Sequence, residues 1–331
     1  MMKRREALTA MAGLTLAAGW GRSGRGASQK QTPPEEMSLP DLIKSAGPMM
    51  NAVPIKAEPL APGLSLITGP GGNITALAGP DGTLMADSFV PGHGDALLAA
   101  VRGLKGDGPI TLVDTHWHFD HAGGNAALAA AGVKIVAHAS VRKRLGSDQY
   151  MSDFAMPIPA SPKIALPVVT IDDSATYYLN GEIVQLTHVP PAHTDGDVFL
   201  HYQNANVLQT GDLFFNGLYP NIDSSSKGWI TGMIAAADQI LGVVDGQTKI
   251  VPGHGPVGNR DDLRSFRAML AGVRDKVQPM VEAGKTLEEV IAAKPTAAFD
   301  AKFGQALFRG RHFAELAYNG LLKYHKGVAS R

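Results

Sequence analysis

The sequence predicts an α/β sandwich, because strand-like and helix-like segments alternate through two broad halves of the chain. Short apolar runs bounded by glycine and proline, at residues 64–67, 74–78 and 83–86, are typical of strands. Longer stretches with apolar residues at helical spacing, such as residues 262–280, are typical of amphipathic helices. Helices packed against sheets are the architecture that buries the apolar faces of both element types.

The composition is that of an ordinary globular protein. The 331 residues are 44% hydrophobic and 18% charged, and 38 glycines and 22 prolines indicate many loops between short elements. This length suits one large domain or two modest ones. The sequence contains no cysteine, which excludes a disulfide framework, thiolate metal ligands and a catalytic thiol.

The N-terminus has the layout of an export signal. Basic residues, including Arg4 and Arg5, precede a mild apolar stretch over residues 7–20, and small residues follow as far as Ala27. The paired arginines resemble a twin-arginine signal; an ordinary Sec signal or an uncleaved anchor is the alternative. The apolar stretch is shorter than the roughly 20 residues that a transmembrane helix needs. We therefore expect residues 1–27 to be a signal peptide and the protein to be periplasmic or secreted.

The rest of the chain is expected to be a linker and one domain. Residues 28–50 begin with a polar, proline-containing run typical of a linker, and residues 51–331 are expected to form the domain with a helical C-terminal tail. Without residues 1–27 the chain has 25 basic and 29 acidic residues, a net charge of −4. That charge argues against a nucleic-acid partner. We expect no stable membrane insertion after processing, and the sequence leaves the oligomeric state open.

The first half continues with alternating elements after its three initial strands. Helical spacing predicts helices over residues 96–104 and 125–131, the second of which is rich in alanine. Apolar runs rich in β-branched residues predict strands over residues 110–114 and 133–138. A histidine-rich segment, residues 115–121, directly follows the first of these strands.

The second half repeats this kind of alternation. Runs of strand length occupy residues 182–189, 198–202, 206–209 and 249–251. Helical spacing occupies residues 230–241, 262–280 and 286–322. Asp261 or Asp262 is the expected N-cap of the helix over residues 262–280, because a carboxylate accepts hydrogen bonds from free backbone N–H groups.

The segment THWHFDHAGGN crowds four metal-capable side chains into six positions: His116, His118, Asp120 and His121. Imidazole and carboxylate are preferred ligands of borderline divalent ions such as zinc. Backbone alternation can direct His116 and His118 to one position while Asp120 and His121 address a second. A surface cluster without metal is the alternative, and matching motifs farther along the chain argue against it.

Three more candidate ligands lie in the second half. His193 lies in PPAHTDGD, Asp212 in QTGD and His254 in VPGHG. Each follows a predicted strand and enters a glycine-containing turn. Loops at the ends of strands are where a rigid scaffold presents functional side chains.

The motifs HWHFDH, AHTDGD, TGD and PGHGP, in that order, resemble the metallo-β-lactamase fold superfamily from about residue 64 to residue 256. The resemblance implies a four-layer αβ/βα sandwich that holds two Zn²⁺ per chain at one edge. It implies that the ligands are His116, His118 and His193 for the first metal and Asp120, His121 and His254 for the second, with Asp212 bridging the two. It also implies that Asp87 is a buried support for the histidine-rich segment of residues 115–121, which we call the ligand loop.

Such a site would carry out hydrolysis. Zinc lowers the pKa of bound water from 15.7 to about 7, and the sequence offers neither a thiol nor a G-x-S-x-G motif as a nucleophile. We expect a zinc-dependent hydrolase whose metal-bound hydroxide attacks the carbonyl of an ester, thioester or lactone. Asp120 is the expected catalytic residue, which orients the hydroxide and passes its proton to the leaving group. The residual positive charge favours a small-molecule substrate that is anionic.

Several alternatives remain at this point. β-Lactam hydrolysis is the second candidate: export favours it, whereas a bridging Asp212 without a cysteine ligand looks more like thioesterases, lactonases and glyoxalase-type hydrolases. An iron-dependent persulfide dioxygenase would use only His116, His193 and Asp212 and leave four good ligands unused. A metal-binding scaffold without catalysis is a third class.

Other polar residues have simpler interpretations. The histidines that match no ligand motif are His93, His138, His188, His201, His312 and His325. Asp195 and Asp197 are expected to support their loop. Residues 223–229 are expected either to contact substrate or to form a solvated loop.

Overall fold

The computed structural model describes residues 37–106, 108–306 and 308–329, so the predicted signal peptide lies outside the described residues. The helices of these ranges are α1 (Leu39–Asn51), α2 (Gly94–Arg102), α3 (Phe119–Ala122), α4 (Asn125–Ala130), α5 (Ala139–Leu145), α6 (Ile230–Val243), α7 (Arg260–Glu282), α8 (Leu287–Ala292), α9 (Asp300–Phe303) and α10 (Gly310–Ala329). The strands are β1 (Lys56–Ala61), β2 (Leu64–Thr68), β3 (Ile74–Gly79), β4 (Gly82–Ala86), β5 (Ile110–Val113), β6 (Lys134–His138), β7 (Gln149–Met151), β8 (Met156–Ile158), β9 (Val169–Ile171), β10 (Ser174–Leu179), β11 (Glu182–His188), β12 (Val198–Tyr202), β13 (Val207–Gln209) and β14 (Lys249–Val251).

Two sheets form the centre of the molecule. The larger has the order β1-β2-β3-β4-β5-β6-β9; its pairs are antiparallel from β1 to β4 and parallel from β4 to β9. The smaller has the order β10-β11-β12-β13-β14, antiparallel except for the last pair. The hairpin β7–β8 is separate from both sheets.

The sheets face each other across one layer of the core. Leu64, Leu84 and Val113 of the larger sheet pack with Leu186 and Leu200 of the smaller sheet. Because side chains alternate along a strand, the neighbouring residues of these strands point to the opposite face and need a second covering layer. Helices supply that layer on both sides.

The outer face of each sheet is covered by helices. On the larger sheet, Met85 packs with Leu97 of α2 and Leu128 of α4. On the smaller sheet, Leu208 packs with residues of α6, α7 and α10, including Phe266. The predicted four-layer αβ/βα sandwich is confirmed. Within the described ranges, we find no helix whose length and apolar character would suit a membrane crossing.

A linker was predicted over residues 28–50. Its second part, from Leu39 onward, belongs instead to helix α1. Ser38 begins this helix by accepting a hydrogen bond from the backbone N–H of Asp41. Leu42, Ala46 and Met50 are buried against the domain. Since α1 contributes side chains to the core, the linker prediction is wrong for this helix.

Two details of the C-terminal helices also differ from expectation. The N-cap of α7 is Asn259, whose side chain accepts from the backbone N–H groups of Asp261 and Asp262, while Asp262 accepts from the N–H of Asn259. The helix therefore starts earlier than predicted. The predicted helix over residues 286–322 is divided into α8, α9 and α10, because Pro295 and Gly304 interrupt the helical backbone.

Candidate metal centre

The seven predicted ligands lie at one edge of the sandwich. The loop after β5 carries two of them and α3 carries two, while the others follow β11, β13 and β14. They are His116, His118, Asp120, His121, His193, Asp212 and His254, and all except the partly buried Asp120 are buried. The structure brings together every side chain that the motifs nominate.

The first donor group consists of His116, His118, His193 and Asp212. Nε2 of His193 lies 2.9 Å from Nδ1 of His118 and 3.4 Å from Oδ2 of Asp212. Nε2 of His116 lies 3.8 Å from the same oxygen, is buried and has no hydrogen-bond partner. A tetrahedral zinc with ligands at about 2.0–2.1 Å separates its ligand atoms by about 3.3 Å. The group therefore fits one such ion.

The second donor group consists of Asp120, His121 and His254, with Asp212 as its neighbour. Nε2 of His254 lies 3.3 Å from both Oδ2 of Asp120 and Nε2 of His121. Oδ1 of Asp212 lies 3.1 Å from His121 Nε2 and 3.2 Å from His254 Nε2. Oδ2 of Asp212 faces the first group and Oδ1 the second, so this carboxylate would supply a donor atom to each of two ions.

In His116, His118, His121 and His193, the ring nitrogen that faces away from the donor groups is hydrogen-bonded. The contacts are His116 Nδ1 with Thr115 Oγ1 (3.1 Å), His118 Nε2 with Asp223 Oδ2 (3.0 Å), His121 Nδ1 with Asp87 Oδ2 (2.8 Å) and His193 Nδ1 with the carbonyl of Asn221 (2.9 Å). Such partners fix the tautomer and the orientation of an imidazole that binds metal.

Asp87 supports the ligand loop, as predicted. Its fully buried carboxylate accepts hydrogen bonds from the backbone N–H and the hydroxyl of Thr115, in addition to its contact with His121. Its backbone has a φ of 73°, which is uncommon for a residue other than glycine. One carboxylate thus connects the start of the ligand loop to a ligand of the second group.

The interpretation of residues 223–229 as a solvated loop is wrong, because Asp223, Ser224 and Ser226 are buried. Asp223 is buried beneath His118, and its side chain caps the short 3₁₀ turn Ser224–Ser226. The surrounding hydrogen bonds stabilise its ionised form and hold its pKa below the usual range, against the opposing effect of burial. An aspartate followed by three serines is typical of a residue that caps a turn, and this pattern was the sequence signal for the role of Asp223.

Two glycines allow the backbone to approach the ligands closely. A Cβ at Gly72 would lie 2.1 Å from Cε1 of His121, and one at Gly253 would lie 2.0 Å from Oδ1 of Asp212. Asn73 joins these two segments, since its side-chain amide donates to the carbonyls of Pro252 and Gly255. Neither Gly72 nor Asn73 lies in a motif that predicts a metal site.

The electrostatics differ between the two donor groups. Burial lowers the pKa of His116 and His193, so both rings are neutral electron-pair donors. In the second group burial also opposes the cation, but Asp212 and Asp120 outweigh it and raise the pKa of His254 to about 9. The same histidine, with His121, lowers the pKa of Asp120 to about 2 against the effect of burial.

The remaining polar residues lie outside the donor groups. Asp197 supports the His193 loop by accepting from the N–H groups of His193 and Thr194, and Asp195 pairs with Arg144, both as expected. In the described part of the chain, none of the six other histidines joins a donor group.

The mouth of the site is small and lined largely by apolar residues. Met151, Phe154, Phe215 and Phe308 surround a cavity of about 50 Å³ that reaches several of the ligands. The side chain of Asp120 is 18% exposed, whereas those of the other six candidate ligands are at most 4% exposed. Asp120 is therefore the ligand best situated to meet a substrate.

Comparison with known proteins agrees with this geometry. A model of the metallo-beta-lactamase superfamily matches residues 67–279, which include all seven ligands. The chain belongs to this superfamily. A metallo-beta-lactamase from Pontibacter korlensis shares the superfamily fold at a TM-score of 0.54 and 17% identity, over 66% of this chain and 99% of that one.

Two curated relatives are similar to part of the chain. Acyl-coenzyme A thioesterase MBLAC2 from Bos taurus is 25% identical over 162 residues, which are 44% of this chain and 56% of the relative. Hydroxyacylglutathione hydrolase from Anaeromyxobacter dehalogenans is 29% identical over 170 residues, 50% of this chain and 54% of the relative. The chain spans just over half the length of these superfamily members.

Proposed function

We propose that the chain is a hydrolase with two zinc ions, which cleaves an ester, a thioester or a lactone. The observation that carries the proposal is the bridging geometry of Asp212, with one oxygen directed at each donor group. The fit of both groups to the ligand spacing of zinc supports the choice of ion.

The roles of the residues follow from their positions. Bound zinc supplies Lewis acidity and a hydroxide nucleophile at neutral pH. The partly exposed Asp120 orients the nucleophile, accepts its proton and passes that proton to the leaving group. His254, whose Nε2 lies 3.3 Å from Oδ2 of Asp120, would bind the same ion and so fix its place beside this carboxylate. The apolar mouth limits the access of bulk water to the reacting atoms.

The thioester is the substrate class that we favour. The two curated relatives described above are named for acyl groups carried by coenzyme A and by glutathione. The substrate is proposed to be a small anionic molecule, because two dications outweigh the charges of Asp120 and Asp212. A mononuclear iron oxygenase is disfavoured, since it would leave the donors of the second group unused.

A substrate panel tests the proposal. The zinc-loaded full-length chain would be assayed with acyl thioesters, aryl esters, lactones and a chromogenic cephalosporin. We expect hydrolysis of at least one of the first three classes. His118→Ala should reduce the rate of that hydrolysis at least 100-fold. His325→Ala, which changes an exposed histidine of α10, is the matched control and should retain activity. Cleavage of the cephalosporin alone would replace this proposal with β-lactam hydrolysis.

We also propose that residues 1–27 direct export, as the basic and apolar pattern of the N-terminus suggests. Fractionation of cells that express the full chain tests this point. Accumulation in the periplasm or medium is expected, and substitution of Arg4 and Arg5 by lysine should block it if the signal is of the twin-arginine type. Retention of all the protein in the cytoplasm would contradict export.

A further inference from the structure

A second cavity, much larger than the mouth of the metal centre, borders the ligand loop at Trp117 and Phe119. It has a volume of about 650 Å³, within the range of roughly 300–1,000 Å³ that is typical of small-molecule sites. Its walls come from several elements and include Ile43 of α1, Trp117 and Phe119 of the ligand loop, Ala126 of α4 and Ile158 of β8. We call this cavity the α1 groove.

The α1 groove is suited to an apolar ligand. Its lining contains Lys44 and Arg144, and the guanidinium of Arg144 is already paired with Asp195. Lys44 lies exposed on α1. The rest of the lining is dominated by aliphatic, aromatic and proline side chains, so the groove offers mainly apolar surface.

Phe119 connects the α1 groove to the metal centre. Phe119 lines both the α1 groove and the small cavity at the metal centre. Its neighbours in the chain, His118 and Asp120, are two of the candidate ligands. The mouth continues this apolar surface through Met151 and Phe154. A flexible chain attached to a carbonyl at the metals would therefore meet the groove at Phe119, the residue that lines both cavities.

We propose that the α1 groove binds the unbranched acyl chain of the substrate, while the carbonyl lies at the metals. This inference rests on the proposed function and narrows its substrate class to acyl compounds with chains of medium or long length. Burial of each methylene from water favours binding by about three- to four-fold. Affinity should accordingly rise with chain length until the groove is filled.

Carboxylates of increasing length test the groove without turnover. Acetate, hexanoate and dodecanoate would be titrated into the zinc-loaded full-length chain by calorimetry. We expect dodecanoate to bind at least 100-fold more tightly than acetate. Ala126→Phe, which fills the groove, should weaken the binding of dodecanoate at least ten-fold and leave the affinity for acetate unchanged. Ala130→Phe adds the same ring to an exposed position of α4 outside the groove and should change neither affinity.

The inference is overturned if dodecanoate binds no more tightly than acetate, or if Ala126→Phe binds dodecanoate as the parent does. Zinc content and thermal unfolding show whether Ala126→Phe folds. If it does not fold, Ile43→Trp on α1 is used as the variant that fills the groove. A dimer that Ala126→Phe dissociates, without binding of dodecanoate, would assign the groove to a second copy and overturn the proposal.

Thioester kinetics separate this inference from the proposed function. For acetyl, hexanoyl and dodecanoyl thioesters, KM should fall with chain length in the parent and in Ala130→Phe, and remain nearly constant in Ala126→Phe. Hydrolysis with a KM that is independent of chain length would refute the groove and leave the hydrolase intact. Tight dodecanoate binding without hydrolysis of any ester, thioester or lactone would support the groove and refute the hydrolase.

Discussion

Oδ2 of Asp223 lies 3.0 Å from Nε2 of His118, while Nδ1 of the same ring lies 2.9 Å from Nε2 of His193 within the first donor group. The buried carboxylate thus fixes which nitrogen of His118 is free to bind a metal. The 3₁₀ turn that Asp223 caps is in turn held by α10, since Lys323 donates to the carbonyl of Ser224. The C-terminal helix therefore supports the metal centre from outside.

Asp223→Ala should weaken zinc binding at the first donor group by 10- to 100-fold, because His118 loses the partner that orients its ring. Competition with a chromogenic chelator measures this affinity. Asp238→Ala, which removes an exposed carboxylate paired with Arg267, is the control and should bind zinc normally. Equal affinities in the two variants would show that Asp223 does not orient the ligand.

Gly72→Ala should lower the zinc stoichiometry from two to one. Its Cβ would lie 2.1 Å from the ring of His121, so the second donor group must distort while the first is untouched. Gly242→Ala is the control, because a Cβ at this position of α6 meets nothing within 4 Å. Elemental analysis after dialysis counts the ions. Two tightly bound ions in Gly72→Ala would contradict the prediction.

Asp120→Asn should reduce kcat by about 10²- to 10⁴-fold, the usual contribution of a positioned general acid–base. The amide oxygen of asparagine can still face the second ion, whereas the proton-accepting carboxylate is lost. Steady-state kinetics on protein with two zinc ions per chain isolates this effect from metal loss. An unchanged kcat at full zinc content would remove Asp120 from the mechanism.

Asp153 should make stability depend on pH. Burial raises its pKa to about 6, above its ordinary value of 3.8, although Asn319 and Ser224 donate to its carboxylate. A raised folded pKa favours the folded state fully below pH 3.8, and this contribution is lost as pH rises through about 6. Asp153→Asn should therefore gain stability relative to the parent as pH rises from 4 to 7, by about 2–3 kcal/mol.

Urea unfolding of parent and Asp153→Asn at several pH values measures this difference, and other titrating groups largely cancel from it. A difference in the free energy of unfolding that stays constant from pH 4 to pH 7 would show that Asp153 ionises normally. Asp148→Asn is a suitable comparison, because this aspartate lies in the exposed turn before β7.

The sequence was sufficient to predict the donor groups because their members recur in short motifs at strand ends. His116, His118 and His121 lie within six residues of one another, and His193 and His254 each lie in a glycine-containing turn. Short apolar runs likewise predicted β2 to β6 and β11 to β14, whereas the edge strands β1, β9 and β10 were not predicted. Local patterns of this kind need no knowledge of distant contacts.

The missed features depend on tertiary contacts. Asp223 is 105 residues from His118 in the chain, so its role becomes visible only when α10 positions its turn. The linker prediction rests on the polar run at residues 29–36 and extends too far, over helix α1. Pro40 lies in the first turn of this helix, where proline is tolerated. The spacing of Leu42, Ala46 and Met50 was the helical signal.

Metal content and activity measured on the same samples test the central claim most directly. We predict two zinc ions per chain, removed together with hydrolytic activity by exhaustive chelation, and recovery of activity only as the second equivalent of zinc is restored. Full activity in protein from which all metal has been removed, or maximal activity with a single ion per chain, would contradict the account.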